Sequence, residues 1–236
     1  MPQESDSGAG CRHAAGNPGA RLCRLAAIFM PGPVATLVLA SVLAVSATAA
    51  AQGLYGPEAP RDVAYLRLIN ADSRGPVTMS VDGSEWQPLP YAEVSPYRQL
   101  PPGEHLVTLA GEEIAISASP EGFITVVALE GRALLLEDEP LRDISRGLLT
   151  FYNLTAGDAL SLRTQDGGDV LTDVAAESAA SVAISEAEVG LAVHHGEELL
   201  ASLEPRLYGR GEAHAVIVLP AGKEPRLVYA RAGAEP

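Results

Sequence analysis

Beyond residue 23 the chain has no cysteine, and in its whole length of 236 residues it has one lysine, Lys223, and one tryptophan, Trp86. The only thiols, Cys11 and Cys23, sit near the start. A disulfide framework, a nucleophilic cysteine and a thiolate metal site are therefore excluded from the rest of the chain. Stability has to come from burial, which about 185 residues can supply. From Gln52 onward, 28 acidic residues face 12 arginines and Lys223, a net charge of −15. A field of that sign repels nucleic acid and anionic membrane surfaces. The charges are scattered over turns and strand ends, as on a solubilising surface.

Catalytic signatures are also missing. There is no Gly-x-Ser-x-Gly elbow, and no Gly-Asp-Ser followed by a distant Asp-x-x-His, so a serine nucleophile lacks its base and its oxyanion hole. His105, His194, His195 and His214 show neither His-x-His nor His-Glu-x-x-His spacing. The adjacent pair His194 and His195 would point to opposite faces of a strand. Nucleotide-binding glycine loops are absent, and Glu137-Asp138-Glu139 reads as a solvated linker. The expectation is a chain with no catalytic residues, no metal and no cofactor, and not an enzyme.

The one long apolar stretch is Leu25 to Val45. It follows Arg12, Arg21 and Arg24 and ends in Ala47-Thr48-Ala49 and Ala49-Ala50-Ala51, the layout of a cleavable signal peptide. Residues 1–51 are expected to be that leader, which places the protein outside the cytoplasm. Two rival readings, a retained anchor and a lipoprotein, are weakened by the interrupting Pro31-Gly32-Pro33 and by Cys23, which has no small residue before it.

What the chain does have is a pattern written twice. Tyr65-Leu66-Arg67-Leu68-Ile69-Asn70, then Val77 to Val81 and Asp82-Gly83, is echoed by Leu148-Leu149-Thr150-Phe151-Tyr152-Asn153, then Ala159 to Thr164 and Asp166-Gly167. Such self-similarity sets the architecture before any function is considered. Short Val, Ile, Leu, Thr and Tyr runs alternate with Gly, Pro, Asn and Asp at the rhythm of a sandwich or barrel. The fold class is all-β: two tandem antiparallel β-sandwich domains, Ig-like or jelly-roll-like. The expected layout is 52–138, a linker at 139–147, and 148–236.

In the first copy strands are expected at Ala64 to Asn70, Val77 to Val81, Gln99 through His105 to Leu109, Glu113 to Ser117, Phe123 to Leu129 and Ala133 to Glu137. The Ala- and Glu-rich stretch Val174 to Glu188 invites a helix, but its serines and the repeat favour a strand. Between Glu85 and Tyr97 lies an excursion with Pro88, Pro90 and Pro96, unsuited to a central ladder. It carries Trp86, Tyr91 and Tyr97, residue types enriched at contact surfaces, although Tyr97 also fits a role in capping its own sandwich.

Leu54-Tyr55-Gly56-Pro57-Glu58-Ala59-Pro60, followed by Ala64 to Ala71, resembles the start of the mature AlgF family of periplasmic alginate O-acetylation proteins. The likeness continues through Leu100-Pro101-Pro102-Gly103, Leu134 to Pro140 and Phe151-Tyr152-Asn153-Leu154. The resemblance implies a periplasmic, non-catalytic adaptor that supports O-acetylation of alginate or an alginate-like exported polysaccharide. Its implied partners are a periplasmic SGNH-type acetyltransferase and a membrane-bound O-acyltransferase, with polysaccharide contact weak or indirect. The candidate partner-binding residues are Tyr55 and Pro57 in the opening segment, Trp86 and Tyr91 in the aromatic excursion, and Arg142 and Arg146 at the linker. The two arginines fit either bidentate contacts to a partner's carboxylates or neutralisation of Glu137 to Glu139. Alternatives are an acetyl-carrying intermediate acylated on Ser, Thr or His, and a carbohydrate-binding or adhesion module.

Overall fold

The computed structural model describes residues 62–220 and 225–233. The expected leader, Tyr55 and Pro57 lie outside them. Every regular element among the described residues is a strand. The first copy holds β1 (Ala64–Asn70), β2 (Met79–Val81), β3 (Ser84–Glu85), β4 (Arg98–Leu100), β5 (Gly103–Leu109), β6 (Glu112–Ala118), β7 (Phe123–Leu129) and β8 (Arg132–Asp138). The second holds β9 (Gly147–Asn153), β10 (Leu160–Thr164), β11 (Asp169–Val174), β12 (Ser178–Ile184), β13 (Ala187–His195), β14 (Glu198–Tyr208), β15 (Ala213–Leu219) and β16 (Arg226–Ala232).

The duplication is one of topology as well as sequence. Sheet order β4-β1-β7-β8 recurs as β12-β9-β15-β16, and β3-β2-β5-β6 recurs as β11-β10-β13-β14. Each copy is a two-sheet sandwich, as expected. Pairing departs from purely antiparallel at two places, the central pairs β1 with β7 and β9 with β15, which are parallel. Between those partners the chain builds the opposite sheet and one edge strand, β4 or β12, of their own, and returns running the same way. A parallel pair requires such a long crossover.

Gln99 to Leu109 does not form the single expected strand. It divides into β4 and β5, which belong to different sheets. The chain changes sheet at Pro101-Pro102, where no backbone N–H is available for a ladder. Val174 to Glu188 is not helical: a turn at Ala176-Glu177 leads into β12, which is paired along its whole length to β9. Asp82-Gly83, Ala110-Gly111 and Glu130-Gly131 each have left-handed φ at both positions, 50° and 80°, 53° and 85°, 48° and 85°. That geometry matches the twist of the strands they join.

Strands β1 and β9 are buried at every position, which a sandwich with one solvated face does not require. Leu66, Leu68, Val126 and Ala128 face the first sandwich's own core, together with Met79, Val107, Leu109 and Ile116. Leu149, Phe151, Val216 and Val218 do the same in the second, with Leu162, Leu191 and Val193. The alternate residues form a third core in which Ile69, Val127 and Leu129 of the first copy meet Tyr152, Leu154, Ala215, Ile217 and Leu219 of the second. The molecule is thus four sheets deep, and the seam between copies is packed like an interior. The described residues belong to one compact unit.

Candidate functional site

Among the described residues, two buried convergences of polar side chains stand out, the first being the seam. There Arg67 of β1 is enclosed, with 2% of its side chain exposed against 3% for Asp138. Arg67 Nε donates to Thr125 Oγ1 at 2.9 Å and Nη2 donates to the Tyr152 hydroxyl at 2.5 Å. Asp138 accepts from Thr125, Tyr152 and Tyr97, the last at 2.5 Å, and lies 3.6 Å from Arg67 Nη2. The guanidinium also stands 4.4 Å over the Tyr97 ring and 5.4 Å over that of Tyr152. Burial opposes the Arg67 charge, but Tyr152, Tyr97 and Asp138 outweigh it and hold the group above its ordinary pKa. Burial pushes the Tyr97 and Tyr152 phenols well up. A charge so enclosed needs its partners, and here they come from both copies, so the network fixes how the copies dock.

Of these residues only Tyr97 was singled out in the sequence. Asp138 was read with Glu137 and Glu139 as a charged linker, but strand alternation turns its neighbours outward and Asp138 inward. Tyr97 packs its side chain on its own copy, against Arg67, Phe123 and Asp138. It is buried in the seam, edge-on to Phe123, and its backbone N–H reaches the Gly233 carbonyl at 2.9 Å. An Arg inside an otherwise apolar strand was the one available signal.

The named candidates are dispersed. Trp86 is half-buried against the first core, with the Arg98 guanidinium 4.5 Å over its ring. Tyr91 packs into the seam, donates to the Pro220 carbonyl at 3.3 Å and lies under Arg226 at 5.4 Å. Arg142 is 72% exposed and 3.6 Å from Glu121. The Arg146 side chain donates to the Ala183 carbonyl, tying the connector to β12. These contacts of both arginines lie away from the Glu137 to Glu139 run. Near Arg142, Ile144 is 61% exposed. Among the described residues no group of three or more His, Cys, Asp or Glu side chains is placed to hold a metal ion.

The second convergence lies at one end of the second sandwich. The His214 side chain is fully enclosed, its Nδ1 2.8 Å from the Tyr229 hydroxyl and its Nε2 3.5 Å from Glu212 Oε2. Glu212 is held from outside by Arg231 at 3.3 Å. Tyr208 stands edge-on to His214 at 5.0 Å, and the Arg206 guanidinium lies 3.8 Å over the Tyr229 ring. His214 Nε2, the Tyr208 hydroxyl and Arg206 Nε are buried without a hydrogen-bond partner. Burial lowers the His214 pKa and raises that of Tyr208 to about 12. The imidazole is thus neutral near pH 7. In the tautomer protonated at Nε2, Nδ1 accepts from the Tyr229 hydroxyl.

A family model described as alginate O-acetyl transferase AlgF matches residues 36–215, most of the chain. The chain belongs to the AlgF family. The alginate biosynthesis protein AlgF of Pseudomonas aeruginosa is 29% identical over 183 residues, covering 77% of this chain and 84% of the relative. That of Pseudomonas putida is 30% identical over 190 residues, covering 80% and 86%. The Azotobacter vinelandii protein is 28% identical over 167 residues, covering 70% and 76%. A solved structure of the C-terminal domain of AlgF from P. aeruginosa is 31% identical, covers 37% of this chain and 98% of that domain, and has a TM-score of 0.35. AlgF membership ties the chain to alginate biosynthesis and its O-acetylation.

Proposed function

We propose that this AlgF-family chain is a periplasmic, non-catalytic adaptor that supports O-acetylation of alginate, or of an alginate-like exported polysaccharide, by contacting acetyltransferase partners. The observation carrying the reading is the connector at 139–146. It lies on a body made rigid by the shared seam, and in an acidic chain it presents an exposed arginine, Arg142, beside an exposed isoleucine, Ile144. Arginine and apolar groups together on a rigid surface suit recognition of a folded protein. Transfer of acetyl groups across a membrane and onto a polymer needs proteins held together outside the cytoplasm, which agrees with the leader-like 1–51. The scarcity of basic residues makes direct binding of a polyuronate weak.

The test is capture of the pathway's SGNH-type acetyltransferase and membrane-bound O-acyltransferase by the full chain, with Arg142→Glu and Ile144→Asp as variants. Neither side chain reaches a core, so both variants fold as the parent does. Capture is expected to fall at least about tenfold, the scale of a contact residue worth more than about 1 kcal/mol. Undiminished capture by both variants removes the connector from the interface. A second reading, the acetyl-carrying intermediate, is favoured by the His214 cluster.

A further inference from the structure

The two copies are a control for one another. In the parallel pairings Ile124 lies opposite Leu66, and His214 lies opposite Leu149. Since Asn70 and Asn153 mark equivalent positions, Ile124 corresponds to His214. Counting back across the equal four-residue connections to β7 and β15 matches Pro120 with Arg210, and Ser117 with Leu207. Ser117 and Leu207 both point out of their sandwich. The first copy thus shows solvent a serine and a proline at this place. The second shows a leucine that is 57% exposed and an exposed arginine, Arg210, that has no ion pair among the described residues. The fold calls for neither.

Both residues adjoin the connector. The Gly211 N–H donates to the Arg146 carbonyl at 2.9 Å, the Leu148 N–H donates to the Glu212 carbonyl at 2.9 Å, and a Cβ on Gly211 would stand 3.5 Å from the Ile144 carbonyl oxygen. Asp143 closes the connector on itself. Its carboxylate accepts from the Ser145 N–H at 2.9 Å and hydroxyl at 2.6 Å, and its carbonyl accepts from the Arg146 N–H at 3.1 Å. Ile144 is held outward on this fixed turn, so burying it against a partner costs little ordering entropy. Around it gather Arg142, Arg146, Arg206, Arg210 and Arg231, five of the 12 arginines from Gln52 onward. Of the carboxylates among them, Asp143 is engaged by Ser145 and Glu212 by Arg231, while Glu188 stands opposite Leu207.

We propose that Ile144, Leu207 and Arg210 form one docking surface, whose occupant is a folded protein presenting carboxylates around an apolar recess. This rests on the adaptor reading and adds to it the β14–β15 turn and the chemistry of the partner's face. Arginine around an apolar centre is the composition that carries interface energy. In a strongly acidic chain, a gathering of arginines gives approaching carboxylates one attractive end. A second copy fits less well, since a two-fold pairing of this surface sets arginine against arginine and two acidic bodies repel. A polyuronate offers carboxylates but nothing to cover Ile144 and Leu207.

The experiment measures binding kinetics of the full chain with the pathway's SGNH-type acetyltransferase and, separately, with its membrane-bound O-acyltransferase in detergent. It is run at about 0.1 M and about 1 M NaCl, between which the screening length falls from about 10 Å to about 3 Å. Arg210→Glu is expected to slow association about tenfold at the lower salt, and the gap to close at the higher. Leu207→Asp is expected to speed dissociation at least about fivefold. Ser117→Asp, its counterpart in the first copy, leaves both rates as in the parent. All three side chains are exposed, and an unchanged melting temperature verifies that the variants fold. Parent-like kinetics in either Leu207→Asp or Arg210→Glu, or a Ser117→Asp effect as large as theirs, overturns the proposal. So does a dimer of the parent that Leu207→Asp dissolves, or retention on polymannuronate that Arg210→Glu abolishes. Each of these leaves capture by the parent, and with it the adaptor reading, intact. Binding of the parent to neither enzyme overturns the adaptor reading and this surface with it.

Discussion

At the scale of single residues, the repeated asparagine shows what the duplication preserves. The Asn70 side chain donates to the carbonyls of Gly75 and Leu89 and accepts from the Asp72 N–H. Asn153 does the same in its copy, donating to Asp158 and Val174 and accepting from Thr155. Each closes the loop leaving a fully buried strand, where backbone groups have no water to turn to. Arg67 and Asp138 have no counterpart in the second copy, because they serve the seam between copies. Arg67→Met leaves Asp138 as a buried charge held only by hydroxyls and is expected to destabilise the protein by about 3–5 kcal/mol. Adding Asp138→Leu is expected to restore most of that loss. Urea denaturation of the two variants checks it, and a double variant no more stable than Arg67→Met contradicts the pairing.

At the scale of elements, the hairpins were legible and the sheet crossing was not. Asp82-Gly83 and Glu130-Gly131 carry turn residues that tolerate left-handed φ. The Pro101-Pro102 crossing instead depends on His105, whose ring nitrogens lie 2.6 Å from Asp82 Oδ2 and 2.7 Å from the Pro101 carbonyl. Both partners are acceptors, so the ring must donate twice, as only imidazolium does. The Asp82 bond first, and the Pro101 bond with it, raises the His105 pKa in spite of burial. A base raised on folding stabilises the fold below its ordinary pKa, about 6.5, and loses that contribution as pH climbs through the raised value. The difference in melting temperature between the parent and His105→Gln is therefore expected to be largest below about pH 6.5 and to shrink at alkaline pH. Differential scanning fluorimetry across that range measures it, and a difference independent of pH rules the linkage out.

At the scale of the molecule, the shared seam makes the two copies one cooperative body. Ile69, Val127 and Leu129 on one side and Tyr152, Ile217 and Leu219 on the other have no water-facing alternative while the copies are joined. Separation would expose both faces together with the Arg67 and Asp138 charges. The full chain is expected to unfold in a single calorimetric transition whose enthalpy equals the van't Hoff value. Two resolved transitions would show that the copies are independent.

The sequence by itself determined the strands, their doubling, most turns and the family, because side-chain alternation, Gly and Asn turns and a few motifs are local properties of the chain. It also carried the acidity that disfavours a polyanionic ligand. Only the tertiary structure decided which face of each strand meets which partner. Asp138 looks like a linker carboxylate until β8 pairs with β7, and the place of Tyr97 under the Arg67 guanidinium is not visible until the sheets close. Arg206, Tyr208, His214 and Tyr229 lie up to 23 positions apart, and their meeting is not visible before the sheets close. Burial depends on contacts between distant segments, and a buried charge or an unpaired imidazole acquires its meaning only from what surrounds it.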